Sequence, residues 1–93
     1  MKAMFNGEVI AARDETVVVE GNHYCPADSV RPEFLAPSDM STTCHWKGTA
    51  SYHDVVVEGQ VAPAGAWRYE DPKPRAEHLR GLVAFWRDVE VVD

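Results

Sequence analysis

The sequence is poor in cysteine, in positive charge and in long apolar runs. Its 93 residues include two cysteines and nine Lys and Arg against fifteen Asp and Glu, which gives a net charge of −6. Nucleic-acid binding needs clustered basic side chains, and those of this chain are scattered, so we expect no nucleic-acid partner. The same acidity argues against an anionic membrane surface as a partner.

No apolar run approaches the ~20 residues of a membrane-spanning helix. The first seven residues, Met1–Gly7, also lack the apolar core of a secretion signal. We therefore expect a cytoplasmic protein. In a reducing compartment, Cys25 and Cys44 are expected to be free thiols and not a disulfide.

The fold is predicted to be mainly β. The chain shows no repeat, low-complexity tract or linker, so one domain is expected over residues 1–93. Short β-branched and aromatic segments alternate with turns, which favours a small curled antiparallel sheet or barrel of about six or seven short strands. One short helix is expected near the C-terminus, at Pro74–Arg80. A break near Arg87 is expected to divide the last strand segment, Leu82–Val92.

Two further expectations concern strands. Glu8–Ala12 and Thr16–Glu20 are predicted to pair as a hairpin, and Pro37–Met40 is predicted to be a turn. The most regular strand should run from Thr49 to Glu58. Alternation along it places Ala50, Tyr52 and Val56 on one face, and Ser51, His53, Val55 and Val57 on the other.

Chemically distinct groups are concentrated around Cys44 and Lys47. A thiol reacts as its thiolate, which a nearby cation favours, so Cys44 is a candidate nucleophile with Lys47 as its activator. A bulge or turn is needed to bring the two side chains together, and Gly48 permits one. A buried structural cysteine is the other interpretation, because free Cys is among the most buried residue types. A held Lys47 amine could also bind phosphate or carboxylate, or form a Schiff base if desolvated.

The aromatic side chains are numerous for so short a chain, and most are expected to pack in the core. A cleft floored by Tyr52, Trp67 and Tyr69, with Lys47 at its edge, would suit a small anionic or aromatic ligand. The candidate ligand-binding residues are Tyr24, Trp46, Tyr52, Trp67 and Tyr69.

A metal site is a weaker interpretation. His23, Cys25, Cys44 and His45 are ligand types that zinc uses, but neither pair has a common zinc-knuckle spacing. Strand alternation would also separate Cys44 from His45. We therefore predict no bound metal and no cofactor.

Several motifs together resemble a known family. They occur in this order: Tyr24-x-Pro26, Thr43-Cys44-x-Trp46-Lys47-Gly48-x-Ala50-x-Tyr52, Ala66-Trp67-x-Tyr69-x-x-Pro72-x-Pro74 and Gly81-x-Val83-Ala84-Phe85. This set is similar to the bacterial domain-of-unknown-function family four hundred and twenty-seven. The resemblance implies a small, mostly β domain with no established activity. The family is nucleotidyltransferase-like by name only, because the paired carboxylates that such enzymes use are absent from these motifs.

Three functions remain open from the sequence. The first is a small cytoplasmic β domain that binds a small ligand in an aromatic, Cys and Lys pocket. The second is an enzyme with Cys44 as nucleophile and Lys47 as activator or anion clamp. The third is an interaction protein that forms a homodimer.

Overall fold

The computed structural model describes residues 1–93 and contains nine strands and three 3-10 helices. The strands are β1 (Lys2–Phe5), β2 (Glu8–Ala12), β3 (Val17–Val19), β4 (Asn22–Tyr24), β5 (Leu35–Cys44), β6 (Gly48–Val57), β7 (Gln60–Arg68), β8 (Val83–Phe85) and β9 (Glu90–Val92). The 3-10 helices are Ala27–Ser29, Pro32–Phe34 and Pro74–Leu79. All strand pairs are antiparallel, so the predicted mainly β, antiparallel class is confirmed, with more strands than predicted.

The segment predicted as the one helix is a 3-10 helix that is interrupted at Ala76, where φ is −115° and ψ is 20°. Six residues make too few hydrogen bonds to offset the cost of nucleating an α-helix. Shorter-range bonds form in their place, such as that from the Ala76 amide to the Lys73 carbonyl at 2.8 Å. No helix of the protein has both the length and the apolar character needed to cross a membrane.

Two-residue turns set the strand pairing near the N-terminus. β1 pairs with β2, and β3 pairs with β4, so the predicted hairpin between Glu8–Ala12 and Thr16–Glu20 is wrong. Each of these hairpins turns on a residue followed by glycine, both with positive φ, as in type I′ turns. The turn residues are Asn6-Gly7 and Glu20-Gly21, and Glu58-Gly59 repeats the pattern between β6 and β7.

The largest sheet has the strand order β5-β6-β7-β8, and a smaller one has the order β2-β1-β9. Backbone hydrogen bonds of 2.9 and 2.8 Å between Cys25 and Val83 attach the β3–β4 hairpin to β8. The sheets remain open and do not close into a barrel. β8 and β9 are separated by Arg87, which has a φ of 57°, so the predicted break is confirmed.

Each face of the large sheet covers its own core. The predicted faces of β6 are confirmed for its four core residues, because Val55 and Val57 belong to a first core and Ala50 and Tyr52 belong to a second. The first core lies between the two sheets and is mostly aliphatic. The second core is mostly aromatic and small residues: Tyr24, Ala50, Tyr52, Ala64, Trp67, Tyr69, Ala76, Leu79 and Ala84. The candidate site residues lie in or beside this second core.

Candidate functional site

Five aromatic side chains pack together on the second core and are called the aromatic cluster: Tyr24, Tyr52, Trp67, Tyr69 and Trp86. Tyr52 of β6 is the register partner of Trp67 of β7, and the two ring centroids are 6.1 Å apart. Trp67 is in turn opposite Ala84 of β8, whose small side chain leaves space for the indole. Adjacent strands and a large–small pairing therefore put these rings side by side.

The polar side-chain atoms of four cluster members have hydrogen-bond partners: Tyr24, Tyr52, Trp67 and Trp86. The Trp67 Nε1–H donates to the Tyr24 hydroxyl at 3.2 Å, and the rings meet edge to face at 89°. The Tyr52 hydroxyl bonds Thr42 Oγ1 at 3.0 Å, and Trp86 Nε1–H donates to the Ala64 carbonyl at 2.6 Å. Buried hydroxyl and indole groups that are paired in this way fix the orientation of their rings.

Lys47 lies in the loop between β5 and β6, and only 6% of it is exposed. Its Nζ is 5.5 Å from the centroid of the Trp46 ring and 5.6 Å from that of Tyr69, which is within range of a cation–π interaction. The Lys47 carbonyl accepts a hydrogen bond from the Lys73 amide at 2.9 Å. Gly48 has a φ of 113°, and a Cβ there would lie 3.4 Å from the Asp71 carbonyl oxygen, so this loop is closely held.

The anionic partner of Lys47 is Glu20, at the tip of the β3–β4 hairpin. The Glu20 carboxylate bonds the Lys47 ammonium, yet 55% of the Glu20 side chain is exposed. The hydrogen bond and charge of Lys47 lower the pKa of Glu20. Burial lowers the pKa of Lys47, but the hydrogen bond to Glu20 and the neighbouring acidic groups outweigh it, so the net pKa is raised. We call Glu20, Trp46, Lys47 and Tyr69 the Lys47 corner.

Tyr69 of this corner and the neighbouring Tyr24 stay neutral over a wide pH range. Burial raises the pKa of Tyr24 and of Tyr69, against the opposite influence of the Lys47 charge. Their hydroxyls are therefore protonated and uncharged at neutral pH. The Lys47 charge is consequently balanced by Glu20 and not by a tyrosinate.

The two cysteines are free and occupy different environments. Cys44 ends β5, is half-buried and packs against the second core. Both Cys44 and Lys47 are near enough to Tyr24 and Tyr69 to influence the pKa of each hydroxyl. Cys25 lies in the first core, where burial raises the pKa of its thiol.

The structure gathers the seven residues predicted for the site, but in a closed arrangement. Tyr24, Tyr52, Trp67 and Tyr69 are buried, and Trp46 and Cys44 pack beside them. Of three surface clefts, only one, of about 250 Å³, is lined by a member of this set, Tyr24. No three His, Cys, Asp or Glu side chains converge as a metal site would require.

The site residues predicted from the sequence did not include Glu20 or Trp86. Trp86 packs against Tyr52 and Trp67, with centroids 5.9 and 5.5 Å apart. Glu20 precedes Gly21 between two short strands, which is the pattern of a type I′ hairpin turn. That pattern could have placed Glu20 at a hairpin tip, although not against Lys47, which is 27 residues away in the chain.

Comparison with known proteins agrees with the motifs described for the sequence. No curated protein matches the chain. One family profile, described as Domain of unknown function (DUF427), matches residues 1–93. The match includes the strands and loops that build the Lys47 corner. The predicted resemblance is therefore confirmed, and the protein belongs to the DUF427 family.

Proposed function

We propose that this domain binds a small anionic ligand at the Lys47 corner. The anionic group of the ligand takes the place of the Glu20 carboxylate, and the flat part of the ligand lies against the partly exposed Trp46 ring. One observation carries the proposal: a lysine that is 6% exposed has, as its carboxylate partner, a glutamate side chain that is 55% exposed.

The ammonium of Lys47 needs an anion wherever it is buried. Removing a charged group from water without a partner is costly, and two ring faces compensate for only part of that cost. Glu20 satisfies this need in the structure. A ligand that offers a carboxylate, sulfonate or phosphate oxygen can satisfy it equally well, so exchange of one anion for another leaves Lys47 paired throughout.

Glu20 is placed where it can leave Lys47 without disturbing either core. It lies at a two-residue turn with a φ of 54°, followed by Gly21 with a φ of 81°. The strands of this hairpin, Val17–Val19 and Asn22–Tyr24, have three residues each. Rotation of one exposed side chain at this tip therefore frees the ammonium, while Tyr24 stays packed against Trp67.

The other aromatic candidates support the site from behind. Tyr24, Tyr52 and Trp67 are buried and hydrogen-bonded, so they hold the Tyr69 side of the corner in a fixed shape. Trp46 is partly exposed and offers the face that a planar ligand can cover. This division favours small ligands that combine a negative charge with a flat ring.

Benzenesulfonate is a suitable probe, because it has a ring and keeps its charge at all pH values used for proteins. We expect it to bind the wild-type protein and to bind Glu20→Gln about five- to ten-fold more tightly, since the competing carboxylate is gone. Lys47→Met should lose binding. Sulfate, which has the charge without the ring, should bind more weakly than benzenesulfonate. Isothermal titration calorimetry measures all four.

Glu90→Gln is the matched control, because Glu90 is an exposed glutamate on β9 with no side-chain partner in the structure. It changes the net charge as Glu20→Gln does and should leave the affinity unchanged. Absence of binding to both the wild type and Glu20→Gln would contradict the proposal.

An enzyme that uses Cys44 as its nucleophile is the second candidate. It is supported by the position of Cys44, which packs against the second core and, like Lys47, is near enough to Tyr24 and Tyr69 to influence the pKa of both hydroxyls. Lys47 would then favour the thiolate or clamp an anionic substrate beside it. The rate of Cys44 alkylation in the Lys47→Met and Glu20→Gln variants tests this role.

A further inference from the structure

The largest surface cleft is built from residues outside the Lys47 corner. Its volume is about 450 Å³, which is within the usual range for small-molecule sites. Two arginines line it, Arg13 after β2 and Arg31 before the second 3-10 helix. Asp28 and Ser29 of the first 3-10 helix also line it, together with the apolar Val9 and Ala12.

The two arginines differ in whether their charge is already balanced. The Arg31 guanidinium bonds Glu33 at 3.3 Å and Glu8 at 3.4 Å, and it lies 4.7 Å above the Phe34 ring. Arg13 takes part in none of the six ion pairs of the protein, and its side chain makes no hydrogen bond. Arg13 is therefore the unpaired cation of the cleft.

Asp28 is likewise an unpaired anion in the same cleft, since its carboxylate belongs to none of these ion pairs. Both charges act on one buried group, the Cys25 thiol. Burial raises the pKa of that thiol, the Arg13 charge lowers it, and the Asp28 charge raises it. Two opposite charges thus share one neighbourhood without pairing with each other.

The remaining lining offers one polar and several apolar features. The Ser29 hydroxyl oxygen is buried and has no hydrogen-bond partner. Val9 and Ala12, from β2, give the cleft an accessible apolar part beside the two charges.

We propose that this cleft binds a small zwitterion, with its carboxylate on Arg13, its ammonium on Asp28 and its apolar side chain against Val9 and Ala12. A free apolar α-amino acid is the simplest molecule with these three features. Guanidinium–carboxylate pairs are often bidentate, which suits an amino-acid carboxylate. A ligand with both charges balances Arg13 and Asp28 at once. A simple anion would pair with Arg13 but would be repelled by the Asp28 carboxylate. This site is independent of the Lys47 corner.

The experiment is a calorimetric titration of the full chain with L-leucine. Arg13→Gln and Asp28→Asn should each weaken binding at least about ten-fold, the scale expected for one lost charged hydrogen bond. Arg75→Gln is the matched control, because Arg75 is an exposed arginine that does not line the cleft. Its affinity for leucine should equal that of the wild type. Because Arg13 and Asp28 are exposed, neither substitution should unfold the protein. Circular dichroism of each variant checks that it is folded.

Two analogues separate a zwitterion site from a simple anion site. 4-Methylpentanoate lacks the ammonium, and 3-methylbutylamine lacks the carboxylate, so each should bind at least about ten-fold more weakly than leucine. Equal binding of 4-methylpentanoate and leucine would overturn the zwitterion assignment. Nuclear magnetic resonance gives a second readout: no leucine-induced shift of the Arg13, Asp28 and Ser29 amide signals, up to the solubility limit of leucine, would also overturn the proposal. Equal affinities of the wild type and the three variants for leucine would overturn it as well.

Discussion

At the scale of single residues, the pairing of Lys47 with Glu20 makes stability depend on pH in a defined direction. The pKa of Glu20 is lowered by Lys47 from an ordinary value of 4.5. A carboxylate whose pKa is lower in the folded state stabilises the fold above its unfolded pKa and loses that effect as the pH falls through its folded pKa. The contribution should be modest, because Glu20 is exposed to water and its charge is screened.

Glu20→Gln should therefore be less stable than the wild type at pH 6–8, and the difference should shrink as the pH falls below about 4.5. Urea unfolding at a series of pH values measures it, with Glu90→Gln as the control for net charge. A stability difference that stays constant down to pH 2 would show that Glu20 acts other than through its charge.

Cys44 gives a second prediction at this scale. If Lys47 assists Cys44, then Lys47→Met should slow alkylation of Cys44 by iodoacetamide near neutral pH, and Glu20→Gln should accelerate it by freeing the ammonium. Cys25 should not interfere, because it is buried and its pKa is raised. Mass spectrometry gives the rate at each cysteine. Equal rates in all three proteins would make Cys44 a packing residue.

At the scale of secondary-structure elements, the strands with regular alternation were predictable and the hairpin partners were not. The pattern of Thr49–Glu58 identified β6 and both of its faces, because one face is buried in each core. The turn predicted at Pro37–Met40 is wrong, because these residues belong to β5; the proline had suggested a turn. The proline is tolerated because β5 is an edge strand, and the register shifts between Pro37 and Ser41.

The site was predictable to a similar extent. Tyr52 and Trp67 could be grouped because alternation decides the face on which each side chain lies. The contact between Lys47 and Glu20 depends on how the β3–β4 hairpin attaches to β8, which is set by backbone bonds between Cys25 and Val83. Local sequence patterns contain no information on such a long-range pairing.

The β3–β4 turn gives a prediction with a matched control in the β1–β2 turn. Gly21 has a φ of 81° and Gly7 a φ of 80°, and a Cβ at either would contact nothing within 4 Å. Gly21→Ala and Gly7→Ala should thus lose a similar stability of about 1–2 kcal/mol, from left-handed backbone strain alone. Only Gly21→Ala should also shift the apparent affinity for benzenesulfonate, in the direction of Glu20→Gln. An equal effect of both variants on benzenesulfonate affinity would show that the tip of the β3–β4 hairpin is not part of the ligand site.

At the scale of the whole molecule, the large sheet separates two cores that have different structural roles. The first core joins the two sheets, and the second holds the aromatic cluster behind the Lys47 corner. Trp67 links this cluster, since it contacts the Tyr24, Tyr52 and Trp86 rings. A domain of this size has a small reserve of stability, so loss of Trp67 affects the entire fold.

Trp67→Ala should accordingly lose about 3–5 kcal/mol of unfolding free energy, from the cavity and from the unpaired Tyr24 hydroxyl. Trp67→Phe, which keeps a ring, should lose less. Urea unfolding monitored by circular dichroism measures both. A loss below about 1 kcal/mol for Trp67→Ala would mean that the aromatic cluster contributes little to the fold.

The most direct test of the account is the pKa of Glu20 with and without benzenesulfonate, measured by nuclear magnetic resonance of its carboxyl carbon. Without the probe, the pKa should lie below its ordinary value of 4.5, because the Lys47 ammonium is bound to the carboxylate. At saturation with the probe, the sulfonate should occupy Lys47, and the pKa of Glu20 should return towards 4.5. A Glu20 pKa that stays low while benzenesulfonate is bound would show that the anion binds elsewhere, and this result would contradict the proposed site.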